Sequence, residues 1–269
     1  MPGLESADFY DYLDNIFSRA AEIYDSKIQA NFINRNIRTI EVQTLLRYSA
    51  PNMRVLELGH GTGEEALKYI AKTGNRVTGI DISSGMAKFA MNKMIRHGFE
   101  QFFESRIIPA SCIGDLDGKF DIVYSFNGLI NTEPNLTKLM EGLTKITHRG
   151  SIFIASFRNT SCFGERILSL SKRGRAAVRQ RKSREINVEV VGEKVPSRYY
   201  SPSEIVKIMG KNFRIQQILG LAVLFPPYLA DRIPGPYAPA LISMTERFLG
   251  RLPVLNSLGD EVLIVAKRS

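Results

Sequence analysis

Along residues 8–24 apolar side chains recur at three- and four-residue steps: Phe9, Leu13, Ile16, Phe17, Ala20, Ala21 and Tyr24. That period predicts an amphipathic helix. A second helical stretch is expected over about 28–48, where Ile33, Ile37, Ile40, Val42 and Leu45–Leu46 stand among polar residues. The pattern then changes. Short apolar runs at 54–58, 76–81, 106–110, 121–126 and 151–156 read as strands, separated by helical stretches at 64–72, 84–96 and 135–147. Strands that alternate with helices imply an α/β fold, because each right-handed crossover lays its helix on one face of a parallel sheet.

After Ser156 the alternation stops. Residues 187–191 and 194–200 flank Gly192–Glu193 and predict a hairpin. Ser201-Pro-Ser-Glu204 carries a capping box with proline at the first helical position, so a helix starts there and runs to about Gly210. A strand follows near 213–221, then a proline-punctuated apolar segment over 225–255, and a closing strand at 261–266.

Charge changes this picture in one place. The net charge is +9, and residues 165–184 hold eight basic side chains against one acidic, so seven of the nine charges belong to that segment. A solvated helix face, a contact with an anionic membrane surface and RNA binding are three readings of it. The absence of interleaved aromatics ranks RNA last, and Ile167, Leu168, Leu170 and Val178 offer apolar positions for the membrane reading. Cys112 and Cys162 lie far apart with no histidine at ligand spacing. They predict neither a disulfide framework nor a metal site, and Cys112 reads first as a small apolar filler. No leader pattern opens the chain, and the longest apolar run, 219–230, is too short to span a bilayer. The expected location is the cytoplasm, with a peripheral membrane contact left open.

The chemistry sits in V-L-E-L-G-H-G-T-G-E-E-A-L, residues 55–67. Three glycines, Gly59, Gly61 and Gly63, follow an apolar run that ends with Glu57 and Leu58. A dinucleotide fingerprint would place its third glycine at position 64, which is Glu64. A pyrophosphate would also meet Glu57, Glu64 and Glu65, so charge argues against it. A ligand with an ammonium and a sulfonium would gain from the same acids. Eighteen residues past Gly63 the second strand ends in Asp81, a carboxylate placed to take both hydroxyls of a ribose. A tight turn without ligand remains the plain alternative.

The sequence resembles the class I S-adenosylmethionine-dependent methyltransferases. E-L-G-H-G-T-G (57–63) matches their first motif, and V-T-G-I-D-I-S-S-G-M (77–86) their second strand with its ribose acid. F-D-I-V-Y-S-F-N-G-L (120–129) and G-S-I-F-I-A-S (150–156) match the fourth and fifth strands. F-S-R-A-A-E-I-Y-D (17–25) looks like the entry helix of the small-molecule subgroup that includes quinone methyltransferases. The resemblance implies a Rossmann-like sheet of seven strands, mostly parallel, with the last strand antiparallel. Residues 1–45 would form a helical cap, 46–158 the cofactor-binding core, 159–200 a basic insertion with a hairpin, and 201–269 the rest of the core.

The resemblance also implies roles for single residues. Glu57 would anchor the cofactor's ammonium group, Gly59, His60 and Gly61 its methionine tail, and Asp81 its ribose. Ile82 and Met86 would pack on the adenine, with Ser111 and Cys112 at its edge, although many relatives carry Asp where Ser111 stands. Phe126 and Asn127 would leave the fourth strand beside the sulfonium, and Tyr24 is a further candidate contact. His60 departs from the commoner small residue and reads equally as an exposed loop side chain. Tyr10, Asn131, Arg158, Arg198, Tyr199 and Tyr200 are candidates to line the acceptor site.

Methyl transfer from a sulfonium needs alignment more than acid–base chemistry. His60, Glu133 and Tyr24 are the candidates if a base is required. The missing N-P-P-Y or D-P-P-Y after the fourth strand argues against amino methylation of nucleic-acid bases. The expected activity is methyl transfer to a small, lipophilic metabolite. An RNA methyltransferase using 165–184 and a cofactor-binding regulator without turnover are the alternatives.

Overall fold

The computed structural model describes residues 7–126, 128–169, 172–232 and 238–269. Two helices open the chain, α1 (Ala7–Ala30) and α2 (Phe32–Arg47). α1 buries Phe9, Leu13, Ile16, Ala20 and Ala21 along one face, as its spacing predicts. The second helix starts later than expected because Asn31 caps it, its side chain accepting from the backbone N–H groups of Ile33 and Asn34 at 3.0 and 3.1 Å. The same amide donates to the Pro227 carbonyl at 2.8 Å and ties this corner to the C-terminal part of the chain.

The alternating core follows: β1 (Val55–Leu58), α3 (Glu64–Thr73), β2 (Val77–Asp81), α4 (Ser84–His97), β3 (Phe103–Ile107), β4 (Phe120–Ser125), α5 (Leu129–Thr132), α6 (Leu136–Ile146) and β5 (Thr147–Arg158). The remainder comprises α7 (Phe163–Leu168), α8 (Lys172–Ser183), β6 (Glu185–Val190), β7 (Glu193–Arg198), α9 (Pro202–Met209), β8 (Phe213–Leu221), α10 (Ala238–Leu249) and β9 (Glu261–Arg268). Seven strands form one sheet in the order β3-β2-β1-β4-β5-β9-β8, with β9 antiparallel to both of its neighbours. β8 therefore runs the same way as β5, and its carboxyl end lies at the end of the sheet where β1, β2 and β4 also finish.

Side-chain alternation divides the core between the two faces. Leu56, Leu58, Val123 and Phe153 pack with α6 and α9 on one side. Val55, Ile122, Tyr124 and Ile154 pack with α2, α3 and α4 on the other. All four residues of β1 are buried, which suits the middle of a sheet covered on both faces.

One strand differs from expectation. β3 occupies 103–107 rather than 106–110, paired with β2 from Val77↔Phe103 to Asp81↔Ile107. The run Ile107-Ile108-Pro109-Ala110 is apolar enough to suggest a strand, but Pro109 has no N–H and precedes a 3₁₀ turn over 110–115. The hairpin forms one residue earlier than the glycine suggested. Its turn is Val191–Gly192, with φ of +45° and +83°, the left-handed pair that a two-residue hairpin loop needs. β6 and β7 form a sheet of their own, and Val190, Val191 and Val195 pack on Phe9, Leu13 and Ile16 of α1. The capping box at Ser201–Glu204 is formed as expected.

Candidate active site

β1 hands the chain to the glycine loop at the carboxyl end of the sheet. Gly59, Gly61 and Gly63 all take left-handed φ values, +71°, +52° and +72°. A Cβ at Gly59 would come 2.6 Å from Leu129 Cδ1, whereas one at Gly61 would project into open space. The loop is fastened to β2 rather than floating. The N–H groups of Gly59 and His60 donate to the Ile80 carbonyl at 2.8 and 3.1 Å. Asp81 accepts from the Gly61 N–H at 2.8 Å with one carboxylate oxygen and from the Ser83 N–H at 2.9 Å with the other. Ser83 in turn caps α4.

Above the loop lies a cavity of about 870 Å³. Gly59, His60, Gly61, Asp81, Ile82, Met86 and Phe126 contribute to its wall, so the sequence reading brought together residues that meet in space. α1 roofs it with Tyr10, Leu13, Phe17 and Tyr24. Gly63 does not reach the wall; it starts α3 and packs against Ala90 and Met94 of α4. Ser111 and Cys112 do not line it either, although Ser111 lies 3.0 Å from the Tyr10 hydroxyl. Asn127 lies outside the described residues.

Glu57 sits beneath the loop and is only 2% exposed. Burial, then the neighbouring Glu65, push its pKa well above the ordinary carboxyl value, while the facing Tyr124 phenol works the other way. Neither Glu57 Oε2 nor the Tyr124 hydroxyl makes a well-directed hydrogen bond, although the two groups face one another. The cavity wall itself carries an ion pair: Arg38 and Glu65 meet at 3.2 Å, both side chains almost fully buried. Glu65 is one of the acids that the sequence places beside the loop, whereas Arg38 was not singled out. The available signal was the step Arg38–Glu41–Leu45, which puts two charged residues on the buried face of α2.

His60 is a buried side chain, not an exposed loop residue. Its Nδ1 lies 2.8 Å from the Gly61 carbonyl, which can only accept, so Nδ1 carries the proton. Nε2 then accepts from the Ser105 hydroxyl at 2.8 Å. Burial lowers its pKa against the pull of Asp81. With both nitrogens engaged, His60 braces the loop and has no lone pair left for a substrate proton. Glu133, on the wall of the cavity, accepts from the Tyr10 hydroxyl and the Asn135 N–H with Oε1, both at 3.0 Å, and burial raises its pKa. Tyr24 is kept neutral by burial, and Arg38 lies over its ring at 5.9 Å.

A second cavity of about 880 Å³ adjoins the first under the hairpin. Ala20, Ile23 and Ile28 of α1 face Val188, Val190 and Val195 across it. Phe17, Tyr24, Gly128 and Thr132 line both cavities and so form their common wall. Of the acceptor candidates, Arg158 and Asn131 border this space. Asn131 is spent on backbone: it accepts from the Arg158 N–H at 2.8 Å and donates to the carbonyls of Arg158 and Arg198 at 3.2 and 2.5 Å. Tyr199 faces a separate cleft beside α8, where Arg181 stacks over its ring. Tyr200 packs into the core under Arg198, away from both cavities.

The basic segment forms α7 and α8, with Leu170 outside the described residues. Arg181 is not a surface charge. It donates to both carboxylate oxygens of Glu165, at 2.5 and 2.8 Å, and to Asp260. Cys162, Glu165 and Asp260 come together there, and the Arg181 guanidinium fills the place between the two acids. Among the described residues no helix is long and apolar enough to cross a membrane.

Comparison with known proteins places these features in context. The family model described as a methyltransferase domain matches residues 49–199. A ubiquinone/menaquinone biosynthesis C-methyltransferase, UbiE, of Geotalea daltonii is 28% identical over 149 residues, 54% of this chain and 63% of that protein. A hybrid PKS-NRPS synthetase, fsa1, of Fusarium is 25% identical over 139 residues, 49% of this chain and 3% of that protein. The chain thus spans less than two thirds of the length of these curated relatives. Among solved structures, a geranyl diphosphate methyltransferase in complex with SAM superposes with a TM-score of 0.55 at 15% identity, covering 86% of this chain and 85% of that one. A methyltransferase-like protein from Listeria monocytogenes reaches 0.60 at 17% identity, covering 86% and 98%. The [4+2]-cyclase SpnF reaches 0.56 at 14% identity, covering 84% and 79%. Such low identities show a shared fold, and a cyclase among them shows that the fold alone does not name a reaction.

Proposed function

Because the chain belongs to the methyltransferase domain family, whose cofactor is S-adenosylmethionine, we propose that the first cavity seats that cofactor and the second a small, lipophilic acceptor. The observation that carries this reading is the common wall of the two cavities, Phe17, Tyr24, Gly128 and Thr132. It brings two ligands into contact while each keeps its own site.

The residues present fit the cofactor. Gly61 leaves space that any Cβ would fill, at the place where a nucleoside tail would pass. Asp81 would hold the ribose hydroxyls, with Ile82 and Met86 against the adenine. Glu65 on the wall would face the ammonium group, with the Glu57 carboxyl behind the loop adding negative charge, and Arg38 would face the carboxylate. When bound, S-adenosylmethionine supplies a methyl group activated by its sulfonium. The chain's part is alignment and exclusion of water by α1 and the hairpin. Thr132 cannot act as a base, since its hydroxyl already donates to the Leu129 carbonyl at 3.1 Å. Tyr24, held neutral, can donate a hydrogen bond to an acceptor atom but does not take its proton.

The lipophilic character of the acceptor rests on the valine and isoleucine walls of the second cavity and agrees with a relative named for quinone biosynthesis. Ala20→Phe tests the assignment. Filling the second cavity should abolish transfer of labelled methyl groups into the organic-soluble fraction of a cell extract, with affinity for S-adenosylhomocysteine unchanged. Undiminished labelling by the variant would reject it.

A peripheral contact with an anionic membrane is a second reading, favoured by one feature beyond the charge of 165–184. α10 exposes Leu241, Met244 and Phe248 by more than 60% each, at helical spacing on one face. Glu246, one turn away on its inner side, accepts from the N–H groups of Val223, Leu224 and Phe225 and fixes the helix at the ligand end of the sheet.

A further inference from the structure

Arg158 is the one arginine on the wall of the second cavity, and alignment of a methyl group gives it no task. Its backbone is locked at the end of β5 by the N–H and carbonyl bonds with Asn131 and by the Tyr200 N–H at 3.1 Å. The guanidinium therefore has a fixed root. Among the described residues it makes no hydrogen bond and no ion pair. Glu261, its register partner on β9, is the acid set opposite it, and among the described residues the two form no ion pair. Burial raises that carboxyl's pKa to about 7, and Arg158 is the main charge drawing it back down. The remaining charges on the cavity wall are Lys27 and Glu189, both at the exposed rim, and they cancel. A half-buried cation on an apolar wall is costly unless an anion meets it.

We propose that the acceptor is an amphipathic acid, with its apolar body between α1 and the β6–β7 hairpin and a compact oxyanion, such as a carboxylate, on Arg158. The proposal rests on the reading of this cavity as the acceptor site. It makes Arg158 a specificity residue: a neutral molecule of the same shape fills the apolar walls and leaves the guanidinium bare.

Calorimetry with decanoate and 1-decanol as probes tests this on the full chain, with and without saturating S-adenosylhomocysteine. Wild-type protein should bind decanoate about tenfold or more tighter than decanol, the effect of one charged hydrogen-bonded pair. Arg158→Gln should erase that preference while keeping its affinity for S-adenosylhomocysteine, and Lys27→Gln at the rim should keep the preference. Equal binding of the two probes by wild type, no binding of decanoate, or a preference surviving in Arg158→Gln would each overturn the proposal. Loss of S-adenosylhomocysteine binding by wild type would instead overturn the cofactor assignment, and the probe comparison without cofactor would still be read.

Discussion

Replacing Glu41 by Gln should stabilise the protein more as the pH rises. Glu41 lies on α2 fully buried, and neither carboxyl oxygen has a hydrogen-bond partner. Burial, then the charge of Glu261, push its pKa from 4.5 to about 8, against smaller opposing effects of Ser156 and Arg38. The unfolded chain releases this proton near 4.5 while the folded chain keeps it to about 8. Between those values the folded state binds more protons, so stability falls as pH rises, and below 4.5 the effect is absent. At about 1.4 kcal/mol per pH unit the ceiling is about 5 kcal/mol. The single replacement removes this cost, so it should return on the order of 3 kcal/mol at pH 7 and approach that ceiling by pH 8.5. The assay is urea denaturation followed by circular dichroism at pH 5, 7 and 8.5, on wild type and Glu41→Gln. The difference in unfolding free energy between the two proteins should grow with pH and reach on the order of 4 kcal/mol by pH 8.5. A difference that stays constant or shrinks over that range would refute the reasoning.

Three other outcomes follow from the same structure. Gly61→Val puts a β-branched side chain at φ +52° and into the first cavity, so affinity for S-adenosylhomocysteine should fall about a hundredfold or more by calorimetry, with a loss of only about 1–3 kcal/mol in stability; intact binding would show that the loop does not face the cofactor. Arg181→Met strands the buried Glu165 and the partly buried Asp260 as unpaired acids and should cost about 3–5 kcal/mol in chemical denaturation; a change below about 1 kcal/mol would mean the cluster is solvated. Leu241→Ser with Phe248→Ser should reduce flotation with vesicles containing anionic lipid without changing S-adenosylhomocysteine affinity, and flotation equal to wild type would remove α10 from the membrane reading.

Local covalent spacing explains which features could be read without coordinates. The glycine loop and Asp81 are joined by one helix and one strand, so their meeting follows from a single right-handed crossover. The hairpin and the capped helix are likewise set by neighbours in the chain. β3 lies earlier than expected because the apolar run at 107–110 contains Pro109, a signal already present in the sequence that hydropathy alone overrides. Arg38 and Glu41 escaped notice, and the pairing of Glu65 with Arg38 with them, because charged residues on a helix read as solvated unless the facing helix is known. Arg181 was hidden for the same reason within a basic run, since its partners lie 16 and 79 positions away. Asn131 and Tyr200 were polar or aromatic near the site in sequence, but long-range backbone bonding and core packing claimed them instead.

The central claim, that the cavity over the glycine loop binds S-adenosylmethionine through Asp81, is tested most directly by titrating S-adenosylhomocysteine into wild type and Asp81→Ala. Loss of two charge-assisted hydrogen bonds predicts binding weaker by about a hundredfold or more in the variant. Equal affinity in the two proteins would contradict the account.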